Sequence, residues 1–239
     1  MSRSAWKIMQ RLNDVLKEPE KMNRIFTFTG MNTIFKRCVF ASAAHALMAG
    51  EYTMLSSEIS WDGDNYFFQD MEGCRGVIAF TRGLFVCGIQ NIRTYTKETE
   101  EIVHTMLDGA SEQVVEHARK KVLPYLLTDD EGVRPAVTVI CFGNNETIYA
   151  ACTEKEFMEQ SDNILLPYLY DEKDMKAYWT DYYKMNSEQV ALVEELYQRR
   201  VTEGRFVLTP EIRDTIYGWF GEGIDICRES MSEMGITLP

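Results

Sequence analysis

Hydrophobic positions recur along this chain in two periods, and the changes from one to the other mark out its elements. From Ser4 to Leu16 the apolar residues Ile8, Met9, Leu12, Val15 and Leu16 fall at helical spacing on one face, and Pro19 interrupts them. Asn32–Met48 is apolar almost all round, through Ile34, Phe35, Val39, Phe40, Ala43, Ala44, Ala46 and Leu47. With Asn32 to cap it and Gly50 to end it, this segment predicts a central, buried helix. The period then drops to two. Tyr52–Ser60 sets Thr53, Leu55, Ser57 and Ile59 against Tyr52, Met54, Ser56 and Glu58, which predicts a strand. Asp62-Gly63-Asp64-Asn65 is turn chemistry, and Tyr66–Asp70 reads as the returning strand. Gly76–Thr81 and Leu84–Asn91 follow, joined at Arg82-Gly83. Four successive strands with short turns predict an antiparallel meander, because parallel neighbours need long crossovers.

Helical spacing returns over Lys97–Asp108 and Ser111–Leu127. Val137–Phe142 and Thr147–Cys152 flank Gly143-Asn144-Asn145-Glu146, a strand–turn–strand signal. The last third reads as helices: Thr153–Gln160, Asp171–Lys184, Ser187–Arg200, a helix opening at Thr209-Pro210-Glu211, and Glu222–Met234. The expected fold is α+β, an antiparallel sheet of about six strands (a four-strand meander plus a hairpin) packed with helices, with a helical C-terminal third. Without a linker-like tract, 1–239 reads as a single α+β domain, and 160–239 as a segment able to form a helical C-terminal lobe.

Composition and charge then exclude some classes of function. No apolar run approaches the ~20 residues that span a bilayer. Arg3, Lys7, Arg11 and Lys17 interrupt any signal-peptide core, so the cytoplasm is the expected location. Most of the six cysteines sit among apolar neighbours, and there is no CxxC pair, which predicts free, buried thiols. The net charge is −12, made of +5 over residues 1–50 (eight Lys or Arg, three acids) and −17 over the rest. An acidic surface disfavours nucleic acid and anionic lipid, and favours a basic protein as partner. Oligomeric state is not set by the sequence.

Linear motifs of catalysis or cofactor binding are missing: there is no P-loop, GxGxxG, GxSxG or HExxH pattern, so no cofactor and no metal is called for. The string from Asp62 departs from a calcium loop, with Tyr66 at the third ligand position and Gly73 where the closing Glu belongs. Two candidates for nucleophilic chemistry stand out. Cys74 lies in the turn Glu72-Gly73-Cys74-Arg75-Gly76, beside an arginine expected to lower its pKa. His45 is a histidine on an apolar helix, to be weighed as a general base or as a paired core residue. A different candidate is aromatic. Tyr178/Tyr182 and Trp179/Tyr183 are two i, i+4 pairs, and Trp219 lies between Gly218 and Gly221. Such side chains pack against sheets and also dominate protein interfaces. The leading reading is therefore a non-enzymatic protein-interaction or regulatory protein, of inhibitor or immunity type, binding through Tyr178, Trp179, Tyr182, Tyr183 and Trp219. The alternatives are a hydrolase or transferase built on Cys74 and a histidine or on carboxylates, and a small-ligand sensor with a pocket between the meander and the aromatic helix.

Overall fold

The structure, a computed structural model, describes residues 22–27, 29–94, 99–128 and 134–239; the helix expected over Ser4–Leu16 lies outside them. In chain order, β1 (Asn23–Thr27) leads into α1 (Met31–Met48), and a tight helical turn (Thr53–Leu55) precedes β2 (Ile59–Asp62), β3 (Asn65–Gln69), β4 (Cys74–Thr81) and β5 (Leu84–Asn91). Next come α2 (Thr99–Met106) and α3 (Glu112–His117), which runs on through a wide π turn (Ala118–Val122) and a tight turn (Leu123–Tyr125). β6 (Leu127–Thr128), β7 (Arg134–Pro135), β8 (Val139–Gly143), β9 (Thr147–Ala150), α4 (Glu154–Gln160), α5 (Leu166–Leu169), α6 (Glu172–Tyr182) and α7 (Ser187–Glu203) follow. β10 (Phe206–Val207), α8 (Pro210–Phe220), α9 (Ile224–Glu233) and β11 (Ile236–Thr237) end the chain. The class is α+β, as the alternation of periods predicts. Among the described residues no helix is long and apolar enough to cross a membrane.

These elements gather into two compact units interleaved in sequence. Of the described residues, one takes those up to Thr33 and those between Asp70 and Leu165; the other takes Ile34–Gln69 and Leu166–Pro239. The C-terminal helices thus share a unit with α1, β2 and β3.

The first unit is built on five antiparallel strands in the order β1-β9-β8-β5-β4. β5 lies between β4 and β8, and all of Leu84–Asn91 is buried. A Cβ on Gly88 would come within 2.6 Å of Val122 and 3.0 Å of Leu126, so the missing side chain lets the segment after α3 lie directly on the sheet. β1 is a strand the sequence pattern did not reveal. It is short and mostly exposed, and its register with β9 shifts between Arg24 and Phe26. Such an irregularity breaks the period of two on which recognition depends.

In the second unit, Cys38–Ala49 of α1 and its end are buried without interruption, as the all-round apolar pattern predicts. The hairpin β2–β3 pairs Ile59 with Phe68 and Asp62 with Asn65. The indole N–H of Trp61 donates to Ser42 Oγ at 2.7 Å, tying the hairpin to α1. The strand expected to begin at Tyr52 starts only at Ile59. Leu55 N–H donates to Tyr52 O (2.9 Å) and Glu58 N–H to Leu55 O (2.8 Å), so these residues close local turns in place of a ladder. Their alternation is real, but it serves a turn.

Gly218 and Gly221 could permit a close backbone approach or mark a helix break; Gly221, at φ 56°, ends α8, and the close approach is made by Gly223. A Cβ there would overlap the carbonyl oxygen of Gly50, whereas one on Gly218 would meet nothing within 4 Å. We therefore expect Gly223→Ala to destabilise the protein by about 1–3 kcal/mol through forced backbone separation. Gly218→Ala, inside α8, should be neutral or stabilising by up to about 1 kcal/mol. Thermal or urea unfolding of the two variants reads both effects, and equal stabilities would refute the Gly50–Gly223 contact as the constraint.

Candidate functional site

In the second unit His45 and four of the five aromatic candidates come together, joined by residues the sequence pattern did not single out. α1 carries His45 into the core, where it is 1% exposed. Its Nε2 lies 3.2 Å from Ser56 O, and a carbonyl only accepts, so Nε2 holds the proton. Nδ1 of the neutral ring is then the acceptor for the Tyr183 hydroxyl at 2.9 Å. Burial lowers the pKa of this histidine to about 4, and the bond to Ser56 offsets only part of that effect. Tyr52 donates from its hydroxyl to the backbone oxygen of Tyr183 at 3.2 Å. Beside it, the Tyr66 and Tyr168 hydroxyls share one hydrogen bond of 2.8 Å, and burial raises the pKa of both phenols.

α6 supplies the rest. Asp171 starts it, its side chain accepting from Asp174 N–H at 2.9 Å. Trp179 is 5% exposed and Tyr183 1%, so these two rings point into the core, where Trp179 stacks on Tyr183 (centroids 6.0 Å, 18°). The Trp179 indole N–H has no hydrogen-bond partner among the described residues. Tyr182 is 40% exposed and Tyr178 half-buried. They stack at 6.0 Å and 18°, and Tyr170 extends the row, 6.1 Å from Tyr178. Trp179 meets Tyr178 edge-on from below at 5.0 Å and 90°. The Tyr182 hydroxyl donates to both oxygens of buried Glu58, at 3.0 and 2.8 Å. The outcome is a strip of tyrosines, half-buried at Tyr170 and Tyr178 and exposed at Tyr182, fixed by a packed layer of rings and by one carboxylate.

Two of the binding candidates, Trp179 and Tyr183, are therefore buried and support the strip from within. Trp219 is half-buried and packs its ring against Phe220 at 6.0 Å. The residues sequence reasoning missed are Glu58, Tyr52 and Tyr66. Glu58 reads as one polar position of an alternating strand, and its partner Tyr182 is 124 residues away, beyond any local signal.

Cys74 belongs to the first unit, and its surroundings reverse the expected activation. Arg75 directs its guanidinium to Gln90 Oε1 (2.5 Å) and Leu127 O (3.0 Å). The thiol is buried and donates to Ser161 O at 3.3 Å. Burial, reinforced by the carboxylates of Asp70 and Asp162, pushes its pKa up to about 12. Asp70 serves the turn, accepting from the N–H groups of Glu72 and Cys74 at 2.8 and 2.9 Å. Among the described residues no group of His, Cys, Asp and Glu is arranged to hold a metal ion, and the described cysteines are free. No family model, curated protein or solved structure matches the chain.

The depressed pKa of His45 carries a linkage with a definite sign. Stability contributed by the neutral ring is complete above pH ~6.5 and falls as the pH drops towards about 4, where the unfolded chain takes up a proton that the folded one refuses. The loss is on the order of 3 kcal/mol. Urea midpoints between pH 7 and 4 should show it. His45→Phe should be less stable at pH 7, with Tyr183 and Ser56 left unpaired, yet flatter across this window; an unchanged slope would refute the assignment. At Cys74, alkylation followed by peptide mass spectrometry should give a rate well below that of free cysteine at pH 7.5. A faster rate would restore the nucleophile reading.

Proposed function

We propose that this chain is a non-enzymatic protein-interaction or regulatory protein of the cytoplasm, of inhibitor or immunity type, and that it binds a basic protein partner. The observation that carries this reading is the Tyr170–Tyr178–Tyr182 strip. Exposed tyrosines offer an apolar face and a polar tip, and they cost little to order on binding because they have few rotamers. Here that cost is smaller still, since Trp179 backs two of the rings and Glu58 holds the Tyr182 hydroxyl.

Charge adds direction. On α6 itself Glu172 pairs with Lys176 and Asp181 with Lys184, so the acidic excess belongs to the chain as a whole, at a net charge of −12. The faces of stacked tyrosines attract Arg and Lys side chains, and a net acidic charge speeds encounter with a basic partner. The same charge opposes binding to nucleic acid. An enzyme reading draws little from the two candidates named in the sequence. His45 has both ring nitrogens engaged, and the Cys74 thiol is held protonated.

Native mass spectrometry of the protein purified gently from its own host should show a stoichiometric complex with a basic protein. Tyr178→Ala should weaken that complex about tenfold or more, as expected for a central aromatic anchor, while leaving the melting temperature within a few degrees. Tyr182→Phe, which keeps the ring and removes its tie to Glu58, should weaken it less. A partner whose affinity ignores both substitutions would refute the strip as the binding face.

A further inference from the structure

The first unit holds a cavity of about 720 Å³ that plays no part in the tyrosine strip. Its walls are aliphatic, with Leu107, Val115, Leu123 and Leu127 among them, and only Arg119 and His104 bring charge or polarity. The volume falls in the range of small-molecule sites, and an apolar lining with one or two convergent polar groups is their usual composition. No Phe, Tyr or Trp is among the lining residues, so a flat aromatic ligand finds no stacking surface there.

The local backbone is shaped around this space. After α3 the helix widens, and the Leu123 N–H reaches back five residues to Ala118 O. Such π turns inside helices are rare and cluster at functional sites. Successive four-residue steps of an α-helix drift by about 40° around its axis. A wider turn reverses that drift, which keeps Val115, Arg119 and Leu123 on one wall of the cavity. Val122 and Leu126 meanwhile take the opposite side, against Gly88. The widening therefore serves both faces of one segment. Arg119 is exposed and has no ion pair among the described residues, whereas its neighbour Lys120 pairs with Glu116 at 2.6 Å. An unpaired guanidinium at the edge of an aliphatic cavity, in a protein of net charge −12, is suited to an anion attached to an apolar body.

We propose that this cavity binds a medium-chain aliphatic carboxylate, its chain along Leu107, Val115, Leu123 and Leu127 and its carboxylate on Arg119. The site is separate from the strip, so the interaction reading and this one stand or fall independently.

The test is calorimetric titration of the full chain with dodecanoate below its micellar concentration, with native mass spectrometry for stoichiometry. One saturable site is expected. Dodecan-1-ol, which has the same chain without the charge, should bind about tenfold more weakly, the worth of a charge-assisted contact at a part-exposed site. Arg119→Gln should reduce dodecanoate to the affinity of the alcohol and leave the alcohol unchanged. Val115→Asn should weaken both, with far-UV circular dichroism and melting temperature showing that each variant folds. Acid and alcohol bound equally, or dodecanoate binding indifferent to Arg119→Gln, would overturn the anion contact. Uptake without saturation, or a dimer that dodecanoate does not dissociate, would overturn the cavity as a ligand site and leave it as a face for a second copy.

Discussion

Helix α1 offers water almost no face from Cys38 onward, so each polar group it carries there has to find its partner inside the protein. Two such groups set much of the second unit. Ser42 accepts from the Trp61 indole and donates to Cys38 O, which fixes the hairpin β2–β3 against the helix. His45 takes the Tyr183 hydroxyl on one nitrogen and gives its proton to Ser56 O on the other, which fixes the end of α6 and the turn before β2. Burial without these partners would cost more than a buried hydrogen bond returns, so the positions of the surrounding elements follow from the need to satisfy α1.

This constraint also separates support from surface in the aromatic cluster. A ring that completes the pairing of His45 has to be inside, and Tyr183 is. Trp179 stacks on Tyr183 and follows it inward. With one i, i+4 pair of α6 committed to the core, the other pair, Tyr178 and Tyr182, is rotated towards the outside. Glu58 then bridges the two layers, since it is buried yet accepts from the partly exposed Tyr182 hydroxyl.

The sequence made legible much of what depends on local period. The buried character of α1, the hairpins at Gly63-Asp64 and Arg82-Gly83, the cap at Thr209 and most helices of the last third are where the pattern puts them. What it concealed depends on distant partners or broken registers. β1 is interrupted by its own irregularity, and Tyr52–Glu58 alternates like a strand while closing turns. For the site, helical spacing found the rings of α6 but could not say which pair faces out, because His45, 138 residues away from Tyr183, makes that choice. The Cys74 expectation failed for a related reason. A neighbour in sequence need not be a neighbour of the charge, and Arg75 spends its guanidinium on Gln90 and Leu127.

The same reasoning bears on why an unconnected tyrosine surface would be a poor binding face, and on what supports the role proposed for this one. Immobilising a side chain at an interface costs roughly 0.5–1.5 kcal/mol when it is free beforehand. In this chain the cost has been met during folding, through the core that His45 forces on α6. Tyr178 rests on the edge of Trp179, and Tyr182 is held at both its ring and its hydroxyl. Ordering of the free protein, more than exposed area, is thus what a partner would gain from the strip. The group that organises the core, a histidine with no nitrogen to spare for chemistry, becomes the indirect source of the surface's rigidity.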